Sequence, residues 1–193
     1  MIYFITHPEV VVDSAIPVPQ WPLSERGRER MQASLRLPWV AGIRAVHSST
    51  EQKAVDGAEI LAGHLGLPFQ QIEALGENDR SATGYLPGPE FEATADQFFA
   101  RPAESVRGWE TAEHAQRRVV TAVDEILRSQ QPGGDIAIVS HGAAGTLLLC
   151  HLAGWAIDRA HDQPGAGGGN YFAFGEDRSV AHGWRPIDAA GAP

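Results

Sequence analysis

Residues 135–154 read DIAIVSHGAAGTLLLCHLAG, and the fold turns on this stretch. Asp135 to Ser140 is short, apolar and β-rich, the pattern of a buried strand. His141 follows at once. Gly142 then opens an apolar run of helical length that reaches its stop at Gly154. The chain begins in the same way. Met1 to Thr6, MIYFIT, is a second buried-strand pattern, followed directly by His7 and by Pro8, which cannot extend a ladder. In a parallel sheet the ligand crevice lies beyond the carboxyl ends of the strands. Both histidines fall at such ends.

The rest of the chain repeats the alternation. Ser24 reads as the N-cap of a helix through RGRERMQASL, with Gly27 weakening its first turn. Ile43 to His47 reads as a strand. Ser48, Ser49 and Thr50 are placed to cap a helix to about Leu65, stopped by Gly66. Phe69 to Leu75 reads as an edge strand and 76–89 as a polar loop. Glu90 to Ala100 reads as a short helix with Phe91, Phe98 and Phe99 inward. Thr111 to Gln130 is the clearest amphipathic helix. Gly165 to Gly169 reads as a flexible loop. Tyr171 to Phe174 and Val180 to Trp184 read as late strands that pair. The alternation implies an α/β fold, a three-layer α/β/α sandwich with a mainly parallel central sheet. No repeat or boundary interrupts it. We therefore expect one domain over 1–193, with a lid or specificity segment at about 76–109 and disorder only at 189–193.

The 193 residues carry 24 acidic and 15 basic side chains, a net charge of −9. This balance speaks against a broad nucleic-acid-binding face. It also means that local cations and N–H donors must attract any anionic substrate. No apolar run approaches the roughly 20 residues that span a bilayer, and no signal peptide is expected. Cys150 is the only cysteine, so a disulfide framework is excluded and a reducing, cytoplasmic setting is expected. No metal-ligand spacing is present among the histidines, so neither metal nor cofactor is expected.

Two imidazoles at one sheet end suit phosphoryl transfer. A neutral imidazole with one nitrogen held protonated can attack phosphorus through the other. A second ring, held as imidazolium, can donate to the phosphoryl oxygens. Gly142 at a helix start adds N–H donors and the positive helix end.

Together these segments resemble a known family. MIYFITHPE looks like the opening strand and Arg-His-Gly-Glu motif of the histidine phosphatase superfamily, also called phosphoglycerate-mutase-like. WPLSERGRERMQA resembles its Leu-Thr-x-x-Gly-x-x-Gln-Ala helix start. HSSTEQKAVDGAEILAGHLGLP resembles its Ser-Ser-Pro-x-x-Arg-Ala-x-x-Thr-Ala-Glu segment. LGEND resembles the Leu-x-Glu segment, and GWETAEHAQRRV the Gly-Glu-Ser helix that ends in Arg. The stretch at 135–154 resembles the second-histidine strand, turn and helix.

The resemblance implies a role for each matching residue. His7 is the phosphorylated nucleophile, Glu77 the proton donor to the leaving group and His141 the second histidine of the phosphate pocket. Lys53 stands where the family has its second arginine, and Ser24 where it has the Ser or Thr of the early loop. Thr6 replaces the first arginine, and Pro8 replaces a glycine and its N–H. A planar fork of donors is lost at both cationic positions. Arg80, three residues after Glu77, is a candidate replacement, and Lys53, Arg80, Ser24, Thr6 and Gly142 are the expected phosphate contacts.

The implied activity is a cofactor-independent phosphomonoesterase on small phosphorylated metabolites. A phosphoglycerate mutase, or a catalytically weak or inactive binder of phosphorylated ligands, are the alternatives.

Overall fold

A computed structural model describes residues 1–129 and 133–189. Residue 130, the expected end of the amphipathic helix, and 190–193, within the tail expected to be disordered, lie outside them. Among the described residues, six strands form one sheet: β1 (Ile2–Thr6), β2 (Ile43–Ser48), β3 (Phe69–Gln71), β4 (Asp135–Ser140), β5 (Asn170–Phe174) and β6 (Val180–Pro186). Their order is β3-β2-β4-β1-β5-β6. The first four run parallel; β5 is antiparallel to both β1 and β6. The helices are α1 (Glu25–Ser34), α2 (Gln52–Leu65), α3 (Gly88–Ala100), α4 (Ala112–Ser129) and α5 (Gly142–Ala153).

The period of two along β1 sorts its side chains between two cores. Tyr3 and Ile5 pack with Met31 of α1 and with Ala54, Ala58 and Leu61 of α2. Ile2 and Phe4 face the other way, onto Val119, Val123 and Ile126 of α4 and Leu148 of α5. The strand is buried on both faces, which explains its continuous apolar run. Phe4 is fully buried and stacks on Phe172 of β5 at 5.3 Å between centroids. The three expected layers are therefore present. A third core of Phe98, Phe99, Trp109 and Leu147 lies where α3 and its flanking loops meet α5. Among the described residues no helix is long and apolar enough to cross a membrane.

Several boundaries differ from the sequence expectation. β3 stops at Gln71, because the Ile72 N–H makes the last bond to Ser48 O (2.8 Å) and the chain then turns to bury Leu75. Helix α2 starts at Gln52, with Glu51 rather than the hydroxyl residues at its N-cap. Ser49 lies two residues earlier, its N–H still bonded to Val139 O (3.1 Å) and its Oγ accepting the Glu51 N–H (3.2 Å). Gly27 has a steric reason. A methyl there would meet the Glu9 carbonyl oxygen at 2.2 Å, so only glycine lets α1 start against that backbone. Ser24 caps α1 as read, its Oγ accepting from the Gly27 N–H at 3.1 Å.

Candidate active site

β1 and β4 are hydrogen-bonded neighbours, with Thr6 opposite Ser140. The pairing continues one step, from the His7 N–H to Ser140 O at 3.0 Å. The two histidines thus leave adjacent parallel strands at the same end of the sheet. Their rings lie 5.2 Å apart between centroids, inclined by 67°.

His7 is oriented from both sides. Its Nδ1 lies 2.8 Å from the Pro8 carbonyl, so the proton belongs on Nδ1 and the lone pair on Nε2. Burial, helped by the positive charge of Lys53, lowers its pKa from the ordinary 6.5 to about 4. The ring is neutral at neutral pH, as a nucleophile must be. Its backbone carbonyl accepts the Gly169 N–H at 3.1 Å. Gly168 lies against the same carbonyl with φ +70°, and a methyl there would meet that oxygen at 2.1 Å. Arg30 donates to Gly168 O and Gly169 O, both at 3.1 Å. The glycine run read as a flexible loop is therefore fastened, and its work is to hold the His7 backbone.

His141 is fully buried. Its Nε2 lies 2.7 Å from Ser49 Oγ and 3.4 Å from Glu51 Oε1, while its Nδ1 is buried without a partner. The expected imidazolium is corrected for the unliganded protein. Burial lowers the His141 pKa well below 6.5, Glu51 opposes this, and His7, Lys53 and Arg80 reinforce it. The ring is neutral until an anion offsets Lys53 and Arg80.

Glu77 arrives on the loop after Leu75. Its carboxylate accepts the N–H groups of Ala143 (3.2 Å) and Ala144 (3.0 Å) at the start of α5. The Ala143 and Ala144 N–H groups at that helix end are thus taken by the Glu77 side chain, beside the Gly142 turn expected to hold phosphate. Gly142 itself lies under the Gln163 amide, which a methyl would meet at 2.4 Å. Burial raises the Glu77 pKa, Arg80 lowers it, Glu51 raises it, and the two N–H groups lower it; the net direction is up. A carboxyl whose pKa is raised is better suited to act as a general acid. Arg118 of α4 braces the loop by donating to the carbonyls of Ala74 (2.9 Å), Gly76 (3.0 Å) and Glu77 (3.1 Å) and pairing with Glu110 at 2.8 Å.

Lys53 is buried beside the histidines, its Nζ donating to Val18 O (2.9 Å) and to Glu51 Oε2 (2.5 Å). Arg80 stands over Phe91 at 5.0 Å and over Trp109 at 5.7 Å from the ring centroids. It is close enough to act on the titration of His7, Glu77 and His141. Two expected phosphate contacts are engaged elsewhere. The Thr6 hydroxyl donates to Gln163 Oε1 (2.6 Å) and accepts the Asn170 N–H (3.0 Å), tying strand ends together behind the pocket. The Ser24 hydroxyl serves its helix cap.

Sequence reasoning missed Glu51, which falls on an unspecified position of the Ser-Ser-Pro-x-x-Arg pattern. It bonds Lys53, accepts the Glu77 N–H at 2.9 Å and approaches His141. Its pKa lies below the usual carboxylate range: burial raises it, but the approach of His141, the Lys53 ammonium and hydrogen bonds from Lys53 and Glu77 favour the carboxylate. Beyond these groups a cavity of about 970 Å³ opens between Pro17–Pro19 and the loop from Gly76 to Gly84.

A mostly parallel α/β sandwich with two imidazoles at neighbouring strand ends, a carboxylate against one of them and a buried lysine beside both, suits anion chemistry at one pocket. The chain belongs to the histidine phosphatase superfamily, branch 1, whose family model matches residues 3–184. Solved structures with this fold include a mycobacterial glucosyl-3-phosphoglycerate phosphatase in complex with inorganic phosphate. That protein is 18% identical, with 98% of this chain and 99% of that chain covered and a TM-score of 0.75. Bacillus stearothermophilus YhfR is 22% identical, with 94% of each chain covered and a TM-score of 0.73. The alpha-ribazole phosphatase of Shigella flexneri is 17% identical over 97% of this chain and 96% of that one, at a TM-score of 0.68. No curated protein matches the chain.

Proposed function

We propose that this protein is a phosphomonoesterase acting on small phosphorylated metabolites through a phosphohistidine at His7. The observation that carries the reading is the His7 ring, neutral, with Nδ1 against the Pro8 carbonyl and 5.2 Å from the His141 ring. Nε2 attacks phosphorus as the bond to the leaving oxygen breaks. Glu77 gives its proton to that oxygen and is left as carboxylate. Water then attacks the phosphohistidine; Glu77 takes the water's proton, the P–N bond breaks, and His7 leaves neutral.

Lys53 and Arg80 are the cations for the phosphoryl oxygens. Arg80 takes the part of the guanidinium absent at Thr6; its electrostatic reach to both histidines supports this. As the anion enters it raises the pKa of His141, and Glu51 against Nε2 favours the charged ring. The segment at about 76–109 carries Glu77 and Arg80 and forms the leaving-group side.

The test is rapid quenching with a ³²P-labelled phosphomonoester. Acid-labile label on the wild-type protein is expected, with none on His7→Ala and a turnover loss of about 10⁴-fold or more in that variant. A specific observation favours a second reading, a binder without turnover. Glu51 puts a carboxylate beside Lys53 and so cancels one of the pocket's cations. Phosphate binding with no label on His7 would select it.

A further inference from the structure

Glu51 stands between the cavity and two of the groups expected to hold an anion. It lines the space of about 970 Å³ together with Glu77 and Arg80, whereas Lys53 and His141 are not on that wall. Lys53 is 3% exposed and His141 is fully buried. Both touch the Glu51 carboxylate. Its Oε2 accepts from Lys53 Nζ at 2.5 Å. Its Oε1 lies 3.4 Å from His141 Nε2 and accepts the Glu77 N–H at 2.9 Å. An ammonium, an imidazole and a backbone N–H are donors that an oxyanion uses. Here a carboxylate of the chain itself already bridges them.

The other partner of Lys53 Nζ is the carbonyl oxygen of Val18, at 2.9 Å, and Val18 is also a wall residue. Val18 and Glu51 therefore separate the ammonium from the cavity. A phosphoryl oxygen that shared Nζ with Glu51 would place two anions side by side in a poorly solvated site, which disfavours both. The Glu51 side chain is 12% exposed, and rotation about its own bonds carries the carboxylate towards the cavity. Release of Lys53 thus needs no movement of the sheet. The approach to His141 works in the opposite direction, because a carboxylate there favours a charged ring that could donate to the anion. The contact with Lys53 is shorter and ionic on both sides, so competition is the larger effect.

We infer that Glu51 is an internal competitor of the substrate: its carboxylate holds the anion position at Lys53 in the unliganded protein and has to release Lys53 before a phosphoryl group can bind there. This rests on Lys53 being a phosphoryl cation of the proposed reaction. It concerns binding and not turnover, and the experiment separates the two.

Inorganic phosphate is titrated calorimetrically at neutral pH into wild type, Glu51→Gln and Glu73→Gln. Glu73 is an exposed acid of the same wall and controls for the loss of charge alone. Glu51→Gln is expected to bind phosphate about tenfold more tightly or better, as if Lys53 were released in about one wild-type molecule in ten. Glu73→Gln should stay within about threefold of wild type on the same scale. Equal or weaker binding by Glu51→Gln, or the same gain in Glu73→Gln, overturns the inference. A wild-type crystal soaked in orthovanadate reads the point even if the variant does not fold. A vanadate oxygen on Lys53 Nζ with Glu51 moved off it is expected; vanadate bound beside an intact Lys53–Glu51 pair overturns the inference. Tighter binding by Glu51→Gln with no label on His7 upholds it while the phosphomonoesterase reading fails. Label on His7 with neither phosphate nor vanadate bound by any of the proteins overturns the inference alone. No binding and no label overturns both.

Discussion

The two imidazoles and the charged groups that face them are held by different means. His7 and His141 are fixed by the sheet. Their positions follow from the register of β1 on β4, and the His7 carbonyl is gripped by Gly169 and crowded by Gly168. Glu77, Arg80, Lys53 and Glu51 are fixed by one another and by side-chain bonds between segments far apart in the chain. A strand end is placed by backbone geometry, so its side chain arrives almost regardless of what surrounds it. A group on a loop is placed only as well as its partners allow. On the proposed reaction the first region supplies the nucleophile, and the second tunes charge and shapes the leaving-group side.

Changes on the loop side should therefore alter chemistry with little effect on folding, and changes behind His7 should do the reverse. On the loop side the largest effect is expected from Glu77→Gln, which removes the proposed acid but keeps the shape. Turnover of alkyl phosphates should fall about 10²–10⁴-fold, and that of phenyl phosphate, with its better leaving group, by less. The same carboxyl sets a pH dependence. Its pKa is raised, so the wild-type rate on alkyl esters should decline as pH rises through that value, and the variant should lose this decline. A pH–rate profile of both proteins checks it.

Arg80→Ala comes next. Loss of one donor to a developing anion should reduce kcat/KM by about 10²–10³-fold and weaken phosphate binding in titration calorimetry. The melting temperature should change little, since the lost stacking on Phe91 and Trp109 is worth about 1 kcal/mol. Unchanged phosphate affinity would break the assignment of Arg80 to the pocket.

The histidine side should show itself in stability. His7 titrates at about 4 in the fold and near 6.5 when unfolded. Between those values the unfolded chain binds more protons, so stability should be steady above pH 6.5 and fall as pH drops towards 4. The loss from His7 is at most about 3 kcal/mol, because the ring is only partly buried. Denaturant titrations at pH 7 and 4.5, on wild type and His7→Gln, measure it as a smaller pH effect in the variant. The smallest expected effect is that of Gly168→Ala. Its φ of +70° and its contact with the His7 carbonyl should cost about 1–3 kcal/mol of stability. Activity should fall with it, as the nucleophile shifts.

The same contrast governs what is legible in the chain. The strands at 1–6 and 135–140 carry their own signal, an apolar run ended by histidine, and the family resemblance places His7, His141, Lys53 and Glu77 in order. Glu51 is not legible, because only its spatial neighbours distinguish it from a solvated helix-start glutamate. Thr6 and Ser24 match by position, but their hydroxyls are claimed by Gln163 and Gly27. The glycine run at 165–169 reads as slack in one dimension. Three dimensions are needed to see that its lack of side chains lets it reach the His7 backbone.

Arg118 gathers the carbonyls of residues 74, 76 and 77 onto α4, anchoring the proposed proton donor upstream of the stretch that shapes the cavity. Evolution can therefore rewrite most of the residues between Asn78 and Glu110 without moving the acid. One scaffold and one reaction can in this way be retailored to new alcohols by exchanging a single surface segment.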